Sequence, residues 1–171
     1  MGKSENKKNS LLGWTIFMWV LFLLCLGAIL YLSFEDGTKA KDISEKIVGK
    51  GAAYYYDRDD LSADELTAII YKVRQYGRII IFFVLAILGT ITIHLTFHRW
   101  FWIFRAIISV AMLMGIAVFT ERYKLYLPTR HYSEQEMIYS IFGVLAGFAL
   151  VSFVTLVFSL TRSIVRLSQK E

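Results

Sequence analysis

A chain of 171 residues that is 56% hydrophobic, with a mean hydropathy of +0.51, is more apolar than a soluble domain, where apolar residues make up about half or less. The length leads to the expectation of one membrane domain with no separate soluble catalytic domain beside it. The net charge of +5 argues for membrane lipids as partners and against nucleic acid, because lysine and arginine gather at the ends of apolar runs, where they meet anionic headgroups.

No Asp, Glu, Lys or Arg falls between Lys8 and Glu35, between Arg78 and Arg99, between Arg105 and Glu121, or between Glu136 and Arg162. A bilayer core takes about 20 mostly apolar residues per helix. Lipid offers backbone groups no water, so a span must be helical unless period-two alternation announces a barrel, and that alternation is absent. The expected fold is all-α: a four-helix transmembrane bundle with helices near 11–34, 79–97, 100–119 and 137–161. A loop over 35–78 and short ends over 1–10 and 162–171 complete it.

Lys3, Lys7 and Lys8 precede the first helix. Its apolar run exceeds a signal-peptide core and carries no small-x-small cleavage site before Ser33, so an uncleaved anchor is expected. Cys25, the single cysteine, sits mid-helix as a small apolar side chain. Leu24 before it does not fit a lipoprotein site, and the residues after Gly2 lack the Ser or Thr of a myristoylation signal.

In the long loop, residues 41–48 read as a short helix, and Tyr54-Tyr55-Tyr56 either stack on a ring or belong to the interfacial aromatic belt. Ser62-Ala63-Asp64-Glu65 is a capping-box pattern. Leu66, Ile69, Ile70, Val73 and Tyr76 follow at helical spacing. These residues predict an amphipathic helix at the outer surface that runs into the second span with a bend at Gly77, or else one long helix projecting from the membrane. Basic residues are densest in the short segments, which places both termini inside, although the long loop carries more of them in total.

His94 and His98, four apart, suit either a metal pair or an interfacial pair; with no acidic or cysteine partner nearby, neither metal nor cofactor is expected. Gly143-x-x-x-Gly147 permits close helix approach, within the chain or between copies. In this topology Arg74, Arg78, Glu121, Arg122, Arg130 and Glu136 converge on the outer surface. Such charges are costly unless paired or used. Three uses are open: a salt-bridged clasp, an anion site in which Arg130 forks onto its ligand, or an acid/base pair of Glu121 and Glu136. Arg74, Arg78, Glu121, Arg130 and Glu136 are therefore the candidate ligand-binding or clasp residues, and no catalytic residue is assigned.

Glu121, Pro128, Arg130 and Glu136 resemble the loop pattern of the VanZ-like family, small bacterial membrane proteins linked to teicoplanin-type glycopeptide resistance. That pattern reads Asp-Glu-x-His-Gln-x-x-x-Pro-x-Arg, followed by an acidic residue six positions on. Gly143 and Gly147 fit its downstream glycines, Val73-Arg74 its approach to the second helix, and Tyr31-Leu32-Ser33 with Gly37 its exit from the first. The chain departs from the pattern at Thr120, Tyr123, Lys124, Arg78, Ile81 and Ser140, where the family has Asp, His, Gln, His, a frequent Glu and Asn.

The resemblance implies a VanZ-like membrane domain over 11–161 in the bacterial cytoplasmic membrane. It would modulate glycopeptide susceptibility by non-enzymatic binding of a lipid-linked cell-wall precursor, a glycopeptide or a membrane partner. The alternative is a membrane enzyme acting on an anionic lipid or cell-wall precursor at the outer surface. Loss of the titratable His and Asp positions favours the first, since acid/base chemistry needs positioned groups.

Overall fold

The structure, a computed structural model, describes residues 2–34, 63–98, 100–126 and 133–168. All regular structure among them is helical: α1 (Gly2–Phe34), α2 (Ala63–Thr96), α3 (Trp102–Arg122), a single 3-10 turn (Tyr123–Tyr126) and α4 (Glu134–Ser168). Four segments are long and apolar enough to cross a bilayer: Leu12–Tyr31, Tyr71–Thr96, Trp102–Tyr126 and Glu134–Phe158.

The helices run further than the apolar stretches alone suggest. α2 passes through Gly77 without a break in the helix, so the described part of this region is one continuous helix. One interior glycine costs a helix only about 1 kcal/mol, too little to break a hydrogen-bonded ladder supported on both sides. The helix starts at Ala63, directly after the serine of the capping box. α4 continues past Thr161 to Ser168, and α3 reaches Arg122 instead of stopping at Phe119. The short helix expected over 41–48 and the three tyrosines at 54–56 lie outside the described residues.

α2 is the central helix. It packs most extensively on α4 and also touches α1 and α3, whereas α1 barely reaches α3. The core consists of Phe22 and Ile29 from α1, Phe82, Leu85 and Ala86 from α2, Leu113 and Ala117 from α3, and Val144 from α4. α1 lies antiparallel to α2: the indole N–H of Trp19 donates to Thr96 Oγ1 at 3.0 Å, and Phe22 packs where Gly89 leaves room.

α2 and α4 run in the same direction. Gly143 faces the backbone at Ile79 and Phe83, and Gly147 faces Phe83, Ala86 and Ile87 one turn further on. The glycine pair therefore serves packing inside the chain. Large apolar side chains such as Leu24, Ile103, Phe142 and Phe153 are turned outward, as lipid-facing positions require. Most buried hydroxyls are hidden by bonding back along their own helix: Thr92 to Leu88 O, Ser109 to Arg105 O and Ser140 to Glu136 O, at 2.7, 2.8 and 3.0 Å. In an apolar surround this satisfies the donor without a second helix.

Candidate functional site

The start of the second span, the end of the third and the start of the fourth meet at one end of the bundle. Arg78 comes from α2, Glu121 from the last turn of α3, Lys124 from the 3-10 turn, and Glu136 from the first turn of α4. Lys124 and Glu121 stand three residues apart, the spacing that brings helical neighbours together. Glu136 lies at a helix N-terminus, where the backbone dipole favours a negative charge. Glu121 lies near a helix C-terminus, where that dipole opposes it, so its stabilisation must come from the cations it meets.

Those cations surround it. Lys124 Nζ donates to Glu121 Oε1 and Oε2 at 2.8 and 2.9 Å and to Glu136 Oε2 at 2.8 Å. An ammonium has three hydrogens, and these three acceptors match them. Arg78 Nη1 donates to Glu121 Oε2, and its Nη2 lies 2.8 Å from Glu136 Oε2. Two cations and two carboxylates thus form a closed, charge-balanced network. The side chains of Lys124 and Glu121 are 1% and 2% exposed. At such burial an unpaired charge would be prohibitive, and the pairing is what permits both to be there. At the same end, Tyr71 Oη donates to Gln135 Oε1 at 3.2 Å, a second tie between α2 and α4.

Of the six residues expected to converge, the structure joins Arg78, Glu121 and Glu136, while Arg122 is exposed. Arg74, one turn before Arg78, is exposed and makes no ion pair among the described residues. Arg130 lies outside the described residues. Lys124 is the member that sequence reasoning missed. A lysine just beyond an apolar run reads as headgroup-facing, although its spacing from Glu121 was a usable signal. Thr120 and Ser140 turn back on their own helices, to Ala117 O at 2.9 Å and Glu136 O at 3.0 Å. His94 is committed to Thr90 O at 2.9 Å through Nδ1, and His98 lies beyond the end of α2 and is exposed.

Comparison of the chain with protein-family models, with curated proteins and with solved structures returned no match. Its own structure makes it a multi-pass membrane protein with four candidate spans. Within that frame the network can do two things. It can hold three helix ends in register, and its Glu136 lies within electrostatic reach of the exposed Arg74 beside it.

Proposed function

We propose that this chain is a VanZ-like protein of the bacterial cytoplasmic membrane, with both termini on the cytoplasmic side. In this reading it modulates teicoplanin-type glycopeptide susceptibility by binding an envelope ligand or membrane partner without chemistry. The spacing of Glu121, Pro128, Arg130 and Glu136 supports the family reading. The non-enzymatic part rests on one observation: Glu121 is buried with both carboxylate oxygens held by Lys124 and Arg78. A general base must reach the proton it abstracts, and the Glu121 side chain, 2% exposed, is enclosed by its two cations. The network is the clasp, and Arg74 and Arg130 are the cations offered to an anionic ligand.

Expression in a teicoplanin-susceptible bacterium tests the reading. Arg74→Gln should accumulate like the unmodified protein yet lose protection, because it removes an exposed charge that reaches Glu136 only at a distance and breaks no close ion pair. Arg130→Lys keeps the charge but cannot form the two-pronged contact, and should lower both abundance and protection in part. An abundant, membrane-inserted protein that leaves teicoplanin susceptibility unchanged would refute the functional assignment. Topology is tested separately with single cysteines at positions 129 and 170 in a Cys25→Ser background. An impermeant thiol reagent on intact cells should label position 129 alone; labelling at 170 alone would invert the orientation.

A further inference from the structure

α2 has one side that no other described helix covers. α4 meets it along Ile79, Phe83 and Ala86. α1 meets it at Gly89 and Thr96, through Phe22 and Trp19. Arg78 reaches α3 at Glu121. Arg74, Gly77, Ile81 and Val84 follow one another at spacings of three and four, so they share a further face. At about 100° per residue that face points nearly opposite α4. Ile81 and Val84 are 38% and 42% exposed, and a Cβ at Gly77 would meet nothing within 4 Å. The face therefore has room, and an exposed arginine stands at its upper end.

The depth of Arg74 follows from the other end of α2. Thr96 closes that helix beside Trp19, and Trp100 and Trp102 lie exposed just beyond it; such rings mark the membrane interface. A hydrocarbon core of about 30 Å takes about 20 helical residues. Counted back from Thr96 they end at Tyr76, and Arg74 stands just above, at the depth of headgroup phosphates. α1 does not rise as high: counted from the Trp19–Thr96 bond, its last residue, Phe34, is level with Ile81. The charge on Arg74 is also unspent. The clasp is neutral by itself, and Glu136, which attracts Arg74 from a distance, gives Oε2 to both Lys124 and Arg78. Lys72, exposed as well, adds to the positive potential.

We propose that this face of α2 seats an anionic membrane lipid, with its phosphate on Arg74 and its chain along Gly77, Ile81 and Val84. Resting on the reading of Arg74 as a cation for an anionic ligand, the seat makes that ligand a lipid of the leaflet on the clasp side. A guanidinium forks onto two phosphate oxygens. Gly77, without a side chain, lets the head and the first carbons of the chain lie against the backbone. Ile81 and Val84 then offer branched apolar contacts one and two turns into the bilayer. Phosphatidylcholine fits less well, because its choline brings a second cation next to Arg74 and Lys72.

The full-length protein would be reconstituted in nanodiscs of phosphatidylglycerol and phosphatidylcholine in equal amounts, and the lipid it retains measured by native mass spectrometry. Phosphatidylglycerol should be retained about fivefold over phosphatidylcholine, the scale of one cation at a membrane surface. Arg74→Gln should abolish that preference. Gly77→Phe should weaken it about as much while keeping both the charge and the fold, since the space it enters is empty. Arg122→Gln removes another exposed cation at the same end and should leave the preference unchanged. A preference that falls equally in the two arginine variants is diffuse surface attraction and overturns the seat, as does a Gly77→Phe protein that retains lipid like the wild type. If Gly77→Phe fails to fold, the comparison of Arg74→Gln with Arg122→Gln decides alone. Loss of teicoplanin protection in Arg74→Gln with lipid retention unchanged would overturn the lipid seat and leave the proposed function standing, with a soluble anion as its ligand.

Discussion

Gly147→Ala should cost the protein about 3 kcal/mol of stability, the upper end of the range for overpacking a filled interior. A Cβ at this position would lie 2.5 Å from the carbonyl oxygen of Phe83 and 2.8 Å from the Cβ of Ala86. Neither neighbour is the far end of a flexible side chain, so relief requires moving one helix off the other. Gly143→Ala should behave alike, with Ile79 O at 2.5 Å. Gly89→Ala should cost less, because its nearest neighbours are the side-chain tips of Leu113 and Phe22. Gly115→Ala is the control with the opposite sign: nothing lies within 4 Å of its Cβ, and alanine for glycine within a helix gains roughly 0.5–1 kcal/mol. Unfolding of the purified variants in mixed micelles would rank them. Equal stability of Gly147→Ala and Gly115→Ala would remove the close approach of α2 and α4 from the fold.

Breaking the clasp should cost as much by a different route. Glu121→Gln leaves Lys124 and Arg78 facing a neutral amide, with Lys124 out of water. Removing one partner of a buried pair costs roughly 3–5 kcal/mol, most of it the stranded charge. Lys124→Met removes the ammonium at the centre and leaves Glu121 with Arg78 alone. The double variant should lose clearly less than the two single losses together, since neither charge is then stranded against the other. Coupling of roughly 0.5–3 kcal/mol is the expected scale for contacting residues. Independent losses that simply add would mean that Lys124 and Glu121 do not face each other. An Arg74→Gln variant measured alongside should remain near the wild type, because exposed charges contribute little, about 0–1 kcal/mol.

The spans were legible because charge is so costly in lipid that its absence marks each crossing. Arg78, Glu121 and Glu136 were legible for a related reason: alternating helices bring the end of one and the start of the next to the same surface. Lys124 was not, because its burial is a property of three elements at once. Only when α4 starts over the 3-10 turn does a lysine that looks headgroup-facing become enclosed. The change from polar to apolar surroundings near Gly77 left two readings of α2 open, because it alters composition but leaves the helical ladder intact. Gly143 and Gly147 announced close approach without naming its partner. The parallel run of α2 and α4 supplies it, and no local pattern encodes which of three other helices will lie alongside.

The contact between α2 and α4 also sets an order of assembly. Ribosomes deliver the chain from its N-terminus, so α2 is made before Gly143 and Gly147. Until then the backbone strip at Ile79, Phe83 and Ala86 faces acyl chains or an insertion factor that shields it. Arg78, Glu121 and Lys124 likewise all precede Glu136 in synthesis, so the nascent three-helix form carries an excess positive charge at that end. Emergence of the fourth helix fills the strip and neutralises the charge in one step. Translation of α4 is therefore the event that converts a set of inserted helices into a finished bundle.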